Sequence, residues 1–185
     1  MTGLYIILGV VVLLLLGAVV IYNKLVTNKN MVAEGWSGID VQLKRRNDLI
    51  PNLIETVKGY MGHERGVLEQ VTELRAKSLQ AAGVGDKARA EGALGAALAN
   101  LFAVAENYPD LKASQNFIEL QKSLADIEDQ IQLARRYYNG AARNFNILIQ
   151  SFPSNLVANM FQFTPVEYFE IEAAAERAVP KVAFP

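Results

Sequence analysis

The chain has 185 residues, enough for one domain and an appendage. Its 18 basic and 19 acidic side chains nearly balance, which argues against a nucleic-acid binder, because such proteins carry a basic excess. Cysteine is absent, so disulfides, thiolate nucleophiles and zinc–cysteine sites are excluded.

Residues 1–23 contain no charged side chain, and within them residues 4–22 form an almost purely apolar run. At ~1.5 Å rise per residue this run spans roughly 28 Å, close to the hydrocarbon thickness of a bilayer. Tyr5 and Tyr22 stand near its ends, where amphipathic rings favour the membrane–water boundary. A cleaved signal peptide fits less well. The first three residues carry no lysine or arginine, and no A-x-A site follows the run. The segment therefore reads as a transmembrane anchor. Lys24 and Lys29 follow it directly, and Lys44, Arg45 and Arg46 come next. The positive-inside rule then favours a short N-terminus outside and the soluble domain in the cytoplasm.

From Trp36 onward, apolar residues recur in steps of three and four: Trp36, Ile39, Leu43, Ile50, Leu53, Val57, Tyr60, Val67, Val71 and Leu74. Arg46 and Glu64 take the two polar positions on this stripe. The spacing predicts an amphipathic helix over residues 31–80, packed as in a bundle or coiled coil. Pro51 interrupts it. The alternative is a new helix capped by Asn47 or Asp48, but the stripe keeps its phase, so one kinked helix is favoured. Gly59, Gly62 and Gly66 offer a second bend.

The run Gly83-Val84-Gly85-Asp86 reads as a turn with Asp86 as N-cap. An alanine-rich helix is expected over residues 87–106, ended by Asn107-Tyr108-Pro109-Asp110. A third helix shows an unbroken three–four alternation: Phe117, Leu120, Leu124, Ile127, Ile131, Ala134, Tyr138, Ala141, Phe145, Leu148 and Phe152. Such a seam implies left-handed packing against other helices. Phe152-Pro153-Ser154 breaks it, with Ser154 a natural cap for a short helix over residues 155–161. A glutamate-rich helical segment over residues 166–178 and an extended tail over 179–185 follow. No stretch alternates with period two, so no sheet is expected. The fold class is all-α: a transmembrane helix at 1–23, an antiparallel, four-helix-bundle-like domain at 24–165, and a C-terminal segment at 166–185.

Several motifs give the chain a relationship. They are Tyr22-Asn23-Lys24-Leu25-Val26, then Trp36-Ser37-Gly38-Ile39-Asp40-Val41-Gln42-Leu43-Lys44-Arg45-Arg46, then Asp48-Leu49-Ile50-Pro51-Asn52-Leu53. Val57-Lys58-Gly59-Tyr60, His63-Glu64, Glu106-Asn107-Tyr108-Pro109-Asp110-Leu111-Lys112, Arg135-Arg136-Tyr137-Tyr138-Asn139 and Phe152-Pro153 continue the series. With these the chain resembles the LemA family of bacterial membrane proteins over nearly its whole length. The resemblance implies a membrane anchor, a small external N-terminus and an antiparallel helical bundle. It implies no particular activity.

Chemistry-bearing residues are sparse. His63 is the sole histidine, and His63-Glu64-Arg65-Gly66-Val67 lacks the second histidine of a zinc protease helix. Asp126, Glu128 and Asp129 lack the Glu-x-x-His partners of a di-iron bundle. Arg135-Arg136 with Tyr137-Tyr138 could meet phosphate, yet Glu128 and Asp129 lie nearby and favour a salt-bridged face. No phosphate-binding glycine loop or nucleophile elbow is present. Lys44, Arg45 and Arg46 form one candidate interaction surface, partly neutralised by Asp40 and Asp48. Arg46, standing on the apolar stripe, either snorkels or pairs with an acid from another helix. Phe161, Phe163, Tyr168 and Phe169 form a second candidate surface, unless they cap the bundle, which is the favoured reading. The expectation is a non-catalytic membrane scaffold that binds a protein partner or itself. It should need no cofactor, metal, nucleic acid or small-molecule substrate. The alternative is a sensory module that signals to a soluble partner through the helix containing Pro51.

Overall fold

A computed structural model describes residues 2–170. It contains six helices: α1 (Thr2–Lys58), α2 (Arg65–Gln80), α3 (Val84–Ala105), α4 (Pro109–Lys112), α5 (Gln115–Gln150) and α6 (Ser154–Met160). Among the described residues there is no strand, and the fold is the expected all-α, bundle-like one. The apolar N-terminal part of α1 buries nothing against the protein. It is long and apolar enough to cross a membrane, which marks a membrane protein.

Helix α1 continues without interruption from that apolar run and passes through Pro51. It ends at Lys58, so the helix expected over 31–80 is two helices. The break covers Gly59 to Glu64. Here the amides of Tyr60 and Met61 both donate to the Val57 carbonyl, at 3.0 and 2.9 Å. The helical phase is lost at this point. Met61 becomes fully buried, and Tyr60, assigned to the core from the stripe, is exposed. Two glycines in four residues, each lowering helix preference by about 1 kcal/mol, account for the position of the break.

The next two boundaries also shift. Helix α3 starts at Val84, and the residue before it is Gly83 at φ +83°, a conformation that glycine adopts without steric cost. Asp86 therefore lies in the first turn instead of at the cap, where its charge suits the helix dipole. Ser154 opens α6 instead of capping it. Its hydroxyl donates to the carbonyls of Leu148 (2.6 Å) and Ser151 (2.8 Å).

The chain divides into two compact units. One comprises residues 1–40 and 132–168; the other comprises 41–131 with residues from 169 onward. In the first, α1 and α5 run antiparallel, with the Trp36 and Tyr138 rings 5.8 Å apart. Lys24 and Asn28 line one cleft with the later residues Leu148 and Ser151. Leu25, Val32, Ile39, Phe145, Ile149 and Val157 are buried. Gly35 allows the close approach. A Cβ there would meet the Tyr138 Cα at 3.0 Å and the Tyr137 ring at 3.1 Å.

In the second unit, α2 packs on α3 across the Gly83 turn. Ile50, Leu53, Val57, Val71, Leu94, Leu101, Phe117 and Leu124 share one core. The α5 stripe is buried or half-buried from Phe117 to Leu148. Phe152, its last expected member, is 80% exposed because α5 stops at Gln150.

The segment expected to be helical from 166 is not helical as far as Glu170. Its backbone groups are claimed by side chains of α5. Asn146 donates through Nδ2 to the Val166 carbonyl and accepts from the Val166 amide, both at 2.9 Å. The Tyr138 hydroxyl donates to the Glu167 carbonyl at 2.7 Å. The remainder of that segment and the tail over 179–185 lie outside the described residues.

Two glycines one helical turn apart should respond oppositely to the same change. Gly35→Ala should destabilise the protein by about 1–3 kcal/mol through overpacking. Gly38→Ala meets nothing within 4 Å and should be neutral or stabilising by up to about 1 kcal/mol. Chemical denaturation of the detergent-solubilised chain, followed by circular dichroism, measures both.

Candidate functional site

The three successive basic residues of α1 separate by face. Lys44 and Arg45 are exposed, and Arg46 is buried at 4% exposure. Positions 43, 46, 50 and 53 lie on one side of the helix, which is why Arg46 enters the core with Leu43, Ile50 and Leu53. The pairing alternative is the one adopted. The guanidinium contacts the Glu91 carboxylate of α3 and the Glu128 carboxylate of α5, the latter at 2.8 Å. It also donates to the Glu91 carbonyl at 3.2 Å.

Glu91 is itself almost fully buried. Its carboxylate accepts from Ser78 of α2 and, at 3.4 Å, from Asn47 of α1. Asn47 also donates to the Leu43 carbonyl at 3.0 Å and the Ser78 hydroxyl at 3.3 Å. Arg75 donates to the Asn47 carbonyl (2.8 Å) and Lys87 to the Ser78 carbonyl (3.1 Å). Three helices of this unit thus meet at one carboxylate, and α5 joins them through the Arg46–Glu128 pair. Each buried charge has an opposite charge and hydrogen bonds, the condition under which burial is tolerated. Gly95, one helical turn after Glu91, presents only a hydrogen to the Arg46 guanidinium.

Beside this cluster, Arg45, Asp48 and Leu49 of α1 and Ser123, Asp126, Ile127, Asp129 and Gln130 of α5 line an open cleft of about 670 Å³. Its walls carry both signs of charge. Arg45 also donates to Gln42 at 3.1 Å. His63 is exposed in the α1–α2 connection. Among the described residues no three His, Cys, Asp or Glu side chains converge as a metal site.

The C-terminal aromatics disperse. The Phe161 ring lies 4.7 Å from Tyr22. Phe163 is half-buried, 5.9 Å from Tyr22 and 6.2 Å from Phe145, with the Lys29 ammonium 5.7 Å above it. Tyr168 is exposed and Phe169 is buried. Burial and the nearby Glu167 charge raise the Tyr138 hydroxyl above the ordinary tyrosine range, so at neutral pH it remains a donor.

Sequence reasoning flagged Arg46 but not its partners. Glu91, Ser78 and Asn47 are polar residues within helices, and nothing in their spacing distinguishes them from solvated positions. The apolar neighbours of Glu91 at Ala88 and Leu94, both buried, were the available signal.

Removing one partner should be far worse than removing both. Arg46→Ala leaves Glu91 buried without its cation and should cost about 3–5 kcal/mol. The double change Arg46→Met with Glu91→Leu should recover most of that loss. A double-mutant cycle by equilibrium denaturation reads the coupling. Independent, additive effects would show that the contact contributes nothing.

The model of the LemA family matches residues 35–184, a region that contains Arg46, Glu91 and Glu128. The chain is similar to the magnetosome protein MamQ 2 of Paramagnetospirillum magneticum, at 27% identity over 85% of this chain and 68% of the relative. It is similar to the magnetosome protein MamQ of Magnetospirillum gryphiswaldense at 26% identity, with the same coverage. Protein LemA of Metamycoplasma hominis is 29% identical over 80% of this chain and 68% of its own length. With the family match covering most of its length and an all-helical fold behind an apolar N-terminal helix, the chain belongs to the LemA family.

Proposed function

We propose that this protein is a non-catalytic scaffold, anchored in the bacterial inner membrane by a single span, with a short N-terminus outside and its helical domain in the cytoplasm. It holds a protein partner or further copies of itself at the membrane. The observation that carries this reading is that α1 bears both the apolar run and the exposed Lys44–Arg45 pair on one uninterrupted helix. Anything that docks on that pair is thereby tied to the bilayer.

The distribution of charge supports the same reading. In the most elaborate polar cluster, Arg46 and Glu91 are buried in the helix packing and satisfy one another there. The accessible groups line the open cleft, where Arg45 stands among Asp48, Asp126 and Asp129. Mixed charge of this kind suits a complementary protein surface, including that of a second copy. Two of the similar proteins are named for a cellular structure, the magnetosome, and not for a reaction. Orientation follows from Lys24 and Lys29 at the end of the run.

Charge reversal at Lys44→Glu with Arg45→Glu should reduce cross-linked assemblies or recovered partners about fivefold or more, the equivalent of ~1 kcal/mol. Helical circular dichroism should be unchanged. His63→Ala should leave both intact. Metabolite turnover by the purified protein, lost with His63→Ala, would contradict the proposal. Capture of a discrete soluble partner that depends on Pro51 would favour the sensory reading instead.

A further inference from the structure

We infer that the protein touches the bilayer a second time, through the end of α5, the corner at residues 152–154 and α6. This surface lies among the lipid headgroups beside the membrane-spanning part of α1. The inference rests on α1 crossing the membrane and not on the scaffold reading.

The sequence of this region is unusual for a water-exposed corner. No charged side chain occurs between Arg143 and Glu167, and beyond the N-terminal run no other uncharged stretch is as long. Helix α6 buries Ser154, Val157 and Ala158, so its outward face carries Leu156 and Met160, one turn apart, with the uncharged Asn159 beside them. These are 59% and 76% exposed, and Phe152 and Phe161 flank them at 80% and 53%. A soluble surface normally interrupts such a patch with charge; a contiguous apolar patch marks an interaction site.

The position of the patch identifies what covers it. Phe161 packs on Tyr22, with ring centroids 4.7 Å apart, and Tyr22 is the last residue of the apolar run. When that run fills the hydrocarbon, Tyr22 stands at the boundary and carries Phe161 to the same level. A cleft of about 610 Å³ adjoins it, lined in part by Ile21, Lys24 and Asn28 of α1 and by Ile147 and Phe152. Its apolar side faces chains and its Lys24 ammonium faces phosphate, the arrangement a lipid headgroup requires. The patch is thus continuous with a surface that already meets lipid. Aromatic and aliphatic side chains in this zone favour a depth of about 5–10 Å into the headgroup boundary.

The absence of cysteine allows a direct test with the full chain. Single variants Phe152→Cys, Leu156→Cys and Met160→Cys are spin-labelled and reconstituted into vesicles of phosphatidylcholine and phosphatidylglycerol. Val12→Cys reports the span, and Leu79→Cys, exposed on α2, reports water. Paramagnetic relaxation by oxygen and by a water-soluble nickel chelate gives the depth of each label. Labels at 152, 156 and 160 should favour oxygen over nickel several-fold relative to 79, at a shallower depth than 12. Nickel access equal to that at 79 would overturn the inference while leaving the span intact. Low access to both reagents would overturn it too, by placing the face against protein. Three positions are used so that a variant losing its helical circular dichroism can be set aside.

Discussion

Helix α1 has to satisfy two solvents along one axis. In its first part the surroundings are hydrocarbon, so every backbone group must bond within the helix and every side chain can be apolar on all faces. In its second part the surroundings are the other helices on one side and water on the other, so a stripe of apolar residues replaces the full apolar surface. The change occurs over a few residues. The large apolar side chains from Leu4 to Val20 are exposed, whereas Leu25 is already fully buried. The stripe places Gly35 against Tyr138 in one unit and Arg46 in the core of the other.

This placement has an electrostatic consequence at Arg46. A charge on the apolar stripe would disrupt the bundle if the opposing helices offered only hydrocarbon. Glu91, supported by Ser78 and Asn47, meets it with an opposite charge, and Glu128 joins from the edge. An arrangement of this kind adds less stability than well-packed apolar residues would, but it works in a single register of the helices. Sliding α3 along α1 by one turn would strand both ions. The cluster thus disfavours that shifted register.

Much of this architecture was legible in the chain itself. The bilayer-length run and the α5 seam are long periodic signals in which many residues agree, and both are realised. Where a boundary depended on one residue, local backbone chemistry decided it. The Trp36–Leu74 stripe keeps its phase numerically across Gly59–Glu64, yet the helix breaks there and Met61 takes the place expected of Tyr60. Val166 and Glu167 sit before a glutamate-rich stretch with good helix preference, but Asn146 and Tyr138 capture their backbone groups. Contacts of that kind join residues about twenty to thirty positions apart, and helical periodicity carries no trace of them. The same is true of the partners of Arg46. That arginine stood out as a charge among apolar positions, whereas Glu91 and Ser78 acquire meaning only once α2 and α3 are packed.

Function follows from what this construction makes accessible. Its best-organised polar groups are used internally, and its open surfaces are a mixed-charge cleft and an uncharged apolar corner near the end of the span. The first is where we propose that protein docks, and the second is where we infer contact with lipid. All of it depends on α1 being one helix from bilayer to bundle. Hydrogen–deuterium exchange of the full chain in lipid nanodiscs tests this most directly. The account predicts slow exchange through residues 23–35, with the first fast-exchanging segment of α1 at the Gly59 break. A fast-exchanging gap between Tyr22 and Trp36 would show that anchor and bundle are separately hinged and would contradict it.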